Sequence, residues 1–163
     1  MSYGTQITLD APFRDTVARV RAALGAQGFG VLTEIDVTGT LRAKLGEQIE
    51  DYVILGACNP PFAHQALGID RSIGLLLPCN VVVRAAAGGT VVEALDPRVM
   101  VTLTGRPELK PLADEVASRL AVALADLTLA DLSSGSEAAE TNTPSGMLFS
   151  DGSEHGGGPR RYA

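Results

Sequence analysis

The chain predicts an α+β domain of order β-α-β-β-β-β-α, an antiparallel sheet with both long helices packed on one face. Three observations carry this expectation. One helical period follows Pro12 and a longer one follows Pro107, and between them lies a block of twofold apolar alternation. Within that block Gly88-Gly89 separates two Val-rich runs, the pattern of a hairpin. The third is size: 163 residues, 45% of them hydrophobic, suffice for one ordinary core. We expect that core in residues 1–132, followed by a disordered tail over 133–163.

Residues 6–9 read as a short strand, after which Asp10 offers a capping acceptor and Pro12 opens a helix. Phe13, Val17, Val20 and Leu24 recur on one helical face, and Gly25 and Gly28 close it. From Gly30 the period is two: Val31, Thr33, Ile35 and Val37 alternate with Leu32, Glu34, Asp36 and Thr38 until Gly39. Residues 41–46 read as a helical turn or irregular connector. Residues 52–57 form an apolar run of strand length, ended at Cys58 because Pro60 and Pro61 cannot donate to a ladder. Residues 62–67 suit a short helix.

The strongest predicted strand covers 73–85 and turns through Gly88-Gly89 into 90–95. Pairing Arg84 with Glu93, Val82 with Leu95 and Ala87 with Thr90 opposes unlike charges. That register puts Leu75, Leu77, Cys79, Val81, Val83, Val92 and Ala94 toward the helices, and Leu76, Val82, Val91 and Leu95 outward. An exposed apolar face needs a cover, and the expected one is a twofold homodimer. Residues 100–103 suggest a last short strand, and the helix after Pro107 carries a stripe from Leu109 to Leu127. Beyond Leu132 large apolar residues thin out, apart from Met147-Leu148-Phe149.

A net charge of −6 and a pI near 4.8 argue against a phosphate-tracking, nucleic-acid-binding protein. The start MSYGTQITLD lacks the basic and apolar regions of a signal peptide, and no apolar run is long enough for a membrane span. A cytoplasmic protein with two free thiols is expected.

Both cysteines are followed by asparagine and lie beside proline, in Cys58-Asn59-Pro60 and Pro78-Cys79-Asn80. Cys58 precedes a predicted helix whose free amide groups favour a thiolate, while the parity of Cys79 turns it inward as a small hydrophobe. We take Cys58 and Cys79 as candidate catalytic thiols, with simple packing as the alternative. Asn59 and Asn80 are candidate ligand-binding carboxamides, or turn residues bonding their own backbone. Glu34 and Asp36 fall on one strand face roughly 7 Å apart, a spacing open to acid-base work or to plain solvation, and Lys44 is a candidate partner for either. The thiols with His64 leave a tetrahedral metal site incomplete, so no metal is expected. No motif names a cofactor.

The string LGACNPPFAHQALGIDRSIGLLLPCNVVV, preceded by GVLTEIDVTGTLRAKLG and followed by ALDP, resembles the family called domain of unknown function 302 over about residues 3–128. The resemblance implies a fold like that of the TATA-binding-protein class, and an activity that is not established. Fold does not carry function here, and the charge has the wrong sign for DNA. Three readings stay open. One is a homodimeric domain binding a small or metal-linked ligand near the two Cys-Asn motifs. Another is a thiol redox or transfer protein using Cys58 with Cys79, and the last is a non-catalytic interaction module.

Overall fold

A computed structural model describes residues 3–140. Five strands, β1 (Gly4–Leu9), β2 (Gly30–Asp36), β3 (Tyr52–Cys58), β4 (Cys79–Ala86) and β5 (Gly89–Leu95), form one sheet in the order β1-β5-β4-β3-β2. Every neighbouring pair is antiparallel. Helices α1 (Phe13–Ala26) and α5 (Lys110–Glu140) lie against one face, as expected. Shorter helices α2 (Val37–Leu45), α3 (Pro60–Ile69) and α4 (Arg98–Thr104) fill the connections. Among the described residues no helix is long and apolar enough to cross a membrane.

The core is aliphatic. Leu55, Val81, Val83 and Val92 of the central strands pack against Val20 and Leu24 of α1 and Leu120 and Leu124 of α5. Burying each such side chain contributes about 1.5–3 kcal/mol. Polar contacts fix the helices at their ends. Arg19 of α1 holds Asp131 of α5 at 3.1 Å, and Asp131 also accepts the Asp10 N–H at 2.7 Å. Asp10 therefore does not cap α1; Pro12 occupies the cap position without a side-chain bond. At the other end of α1 Gly28 has φ +82°, its N–H donates to Gly25 O, and Phe29 N–H reaches back to Leu24 O. This paired closure with a left-handed glycine stacks buried Phe29 on buried Leu24.

Several expectations need correction. The β2 alternation stops at Asp36, whose carboxylate accepts the Gly39 N–H at 2.8 Å and starts α2, so Val37 and Thr38 are helical and Gly39 breaks nothing. Thr38 instead fastens α2 to β3, donating to Glu50 O and accepting from Tyr52 N–H. The run from Ile73 to Leu76 is a 3₁₀ turn (Arg71–Leu76), capped by Asp70 onto Ser72 N–H, and β4 begins only at Cys79. Residues 100–103 belong to α4 and not to a strand. Helix α5 runs on to Glu140, past the boundary expected at Leu132. The rest of the expected tail, with Met147-Leu148-Phe149, lies outside the described residues.

The β4–β5 hairpin is registered two residues from the expected pairing. Arg84 opposes Val91, Val82 opposes Glu93, and Ala86 opposes Gly89. Arg84 and Glu93 still meet, diagonally, at 3.6 Å. The shift arises at Gly89, which has φ +140° and whose added Cβ would strike the Leu9 carbonyl. Gly89 thus belongs to the strand, and the turn is Ala87-Gly88. A shift of two preserves parity, so Cys79, Val81, Val83, Val92 and Ala94 still face the helices. Leu75 and Leu76, being in the 3₁₀ turn, take no part in that alternation.

The outer face is less apolar than expected. Val91 is only 4% exposed within the single chain, Val82 and Leu95 are half-buried, and Tyr52, Arg84, Glu93 and Asn80 are interspersed. What remains is a short apolar row across three strands, Ile35 opposite Ile54 opposite Val82.

Candidate functional site

The two ends of the sheet differ. At one end β3 finishes in Cys58 beside the start of β4, and the chain turns out into α3 through Asn59-Pro60-Pro61. Register pairs Ala57 with Cys79, which brings Cys58 and Cys79 next to each other across two strands. Above them α3, the 3₁₀ turn, α4 and the start of α5 line a half-open cavity of ≈ 50 Å³. At about 10–15 Å³ per water its inner part has room for roughly four waters, and because it opens to solvent a ring-sized ligand can seat its head there and extend outward.

Its walls are Phe29, Phe62, Ile73, Met100, Leu112 and Val116, with the sulfurs and Asn59 as the polar elements. Asn59 is 8% exposed and stands at the cap position of α3, yet its carboxamide does not cap the helix and makes no hydrogen bond among the described residues. Only its backbone carbonyl is used, accepting the Ala63 N–H at 3.0 Å. Its side-chain polar atoms keep contact with solvent, since the buried side-chain polar atom without a partner among the described residues is Thr16 Oγ1, so the carboxamide is open at the cavity to water or to a ligand.

The thiols are neutral. Burial pushes the Cys58 thiol up, and burial together with the neighbouring Cys58 pushes Cys79 up to about 11. This is opposite to the shift that makes a cysteine a ready nucleophile. Both cysteines are free. Raised values also fix the sign of the pH dependence: the unfolded thiols ionise first, so the contribution of these groups is intact below pH 9.0 and declines as pH climbs toward the folded values.

The other candidates lie elsewhere. Asn80 is exposed on the outer face opposite Gly56, because alternation turns it away from Cys79. Glu34 ion-pairs with Arg21 of α1, Asp36 caps α2, and Lys44 is exposed in the last turn of α2. The Asp36–Val53 pair lies five residues along β3 from Cys58, about 16 Å at strand rise, so these three do not join the cysteines. His64 is exposed on α3. Among the described residues no three His, Cys, Asp or Glu side chains gather as a metal would require.

Sequence reasoning missed most of the walls. Phe29 was legible only as the residue after a helix-closing glycine, and Met100 was assigned to a strand. Arg119, beside the cavity and not in its lining, had no signal at all: it reaches across from α5, its guanidinium 5.1 Å from the Phe62 ring, its Nε donating to Glu115 at 2.8 Å and its Nη1 to Gln27 O at 3.5 Å.

Fold and site together define a small α+β domain with an apolar cavity, open to solvent on one side, at the end of its sheet where β3 finishes. The chain belongs to the family described as domain of unknown function DUF302, whose model matches residues 5–127. It is similar to the crystal structure of an uncharacterized conserved DUF302 protein from Bacillus stearothermophilus, at 30% identity and a TM-score of 0.73, over 78% of this chain and 99% of that one. No curated protein matches the chain.

Proposed function

We propose that the domain binds a small, largely apolar molecule in the cavity bounded by Cys58, Asn59 and Cys79. The observation that carries this is the Asn59 carboxamide, which lines the cavity among apolar walls and makes no hydrogen bond to the protein among the described residues. Apolar pockets with a few placed polar groups are the common form of a ligand site. The cysteines serve here as compact walls, which the raised thiol pKa values favour over a thiolate chemistry. Titration with toluene, followed at the Met100 methyl resonance, tests the reading, and a saturable shift is expected.

A second reading concerns the outer face. The Ile35–Ile54–Val82 row, with Ile35 49% exposed, supports a twofold homodimer across this face. A stable interface needs about 800 Å² per partner, more than this row supplies, so Tyr52, Arg84 and Glu93 would lie within the contact. Val82→Lys should then halve the mass seen by sedimentation at micromolar concentration without unfolding the chain. A mass that does not change on substitution removes the dimer reading.

A further inference from the structure

We infer that the cavity's ligand is uncharged and carries an amide-like head, a hydrogen-bond donor beside an acceptor, seated against the Asn59 carboxamide. This rests on the reading of the cavity as a small-molecule site and names the class of molecule it takes.

The surroundings offer little to an anion. A helix start usually presents several free N–H groups, but in α3 the first two residues are Pro60 and Pro61, which have none, and the Ala63 N–H is already bonded to Asn59 O, which leaves the Phe62 N–H as a single donor. Arg119 is the nearest cation beside Phe62, and it is committed to the Glu115 carboxylate, to Gln27 O and to the ring face. A charged ligand would leave water for walls of Phe29, Ile73, Met100 and Val116 without a free counter-charge.

A carboxamide is suited to a different guest. It presents one carbonyl acceptor and an NH₂ donor side by side, and here neither is used by the protein. A ligand with the complementary donor and acceptor satisfies both at once. Gly28 keeps the carboxamide unobstructed: a Cβ there would lie 3.1 Å from Asn59 Nδ2 and 3.9 Å from Arg119 Nη1. Its φ of +82° is the same left-handed conformation that closes α1.

Three probes with one ring separate the alternatives: benzamide, benzoate and toluene, titrated by calorimetry into the full chain. Benzamide should bind about tenfold or more tightly than either of the others. Asn59→Ala should bring benzamide down to the affinity of toluene while toluene itself is unchanged. Benzoate binding as well as benzamide overturns the assignment of an uncharged head, and so does a benzamide advantage that survives Asn59→Ala. Either result leaves the cavity reading intact as long as toluene binds. Failure of all three to bind overturns both. The wild-type comparison decides the charge question even if Asn59→Ala does not fold.

Discussion

Asn59→Leu should raise the stability of the ligand-free protein and remove its preference for amide-headed ligands in the same step. Leucine has the branching and heavy-atom count of asparagine, so at a site only 8% exposed it replaces a polar group by added apolar contact with the cavity walls. The expected gain is about 1–2 kcal/mol in chemical denaturation, with an unchanged denaturant slope. Benzamide affinity should fall to that of toluene. Natural proteins give up stability at functional positions, and a stabilising core substitution that costs recognition marks such a position. If Asn59→Leu instead destabilises the chain by a comparable amount, the carboxamide is structural and its buried position has another explanation.

Gly56→Ala should be among the most damaging single-methyl additions in the domain. Gly56 is buried in β3 between Asn80 of β4 and Thr33 of β2. A Cβ there would run into Thr33 Oγ1 and come within 2.8 Å of Pro78 Cγ. Thr33 must turn its hydroxyl away, and the Pro78 ring, which has no such freedom, must move with the chain that carries it into β4. A loss of ~3 kcal/mol is expected, at the upper end for overpacking. Because the same segment positions Cys58, Asn59 and Cys79, toluene affinity should fall with stability. Thr33→Ala removes one of the two collisions, so the double variant should recover part of the loss. Additive losses in that cycle would contradict the packing account.

The large elements were legible because their periods are long and clean. The stripe from Leu109 to Leu127 and the face of Phe13, Val17, Val20 and Leu24 each admit one reading. The short elements were not, because local composition and tertiary placement disagree. Residues 98–104 contain Val99, Val101 and Thr102, β-branched residues that suggest a strand, yet they form α4 where the chain turns off β5 and no strand edge is offered. Ile73 to Leu76 gave the same false signal. Hairpin register failed for a subtler reason: opposite charges at Arg84 and Glu93 were read as directly opposed, and they meet on the diagonal.

The site was half legible. Cys58, Asn59 and Cys79 do meet, because strand pairing brings the two motifs together. Asn80 could not join them, since the alternation that turns Cys79 inward turns its neighbour outward. Glu34, Asp36 and Lys44 were candidates by spacing alone, and the fold gives the first two local partners at the far end of β3. Part of the wall, Met100 of α4 with Leu112 and Val116 of α5, is distant in sequence from the two motifs, and no local pattern there signals a shared cavity.

Methionine supplies the most direct measurement. The chain has three, Met1, Met100 and Met147, of which Met100 is the one among the described residues, and it lines the cavity. With methyl-labelled methionine, toluene added to the intact chain should shift the Met100 resonance, assigned by Met100→Leu, saturably. A Met100 resonance that remains still, or moves only in proportion to added toluene, would contradict a ligand site at this end of the sheet.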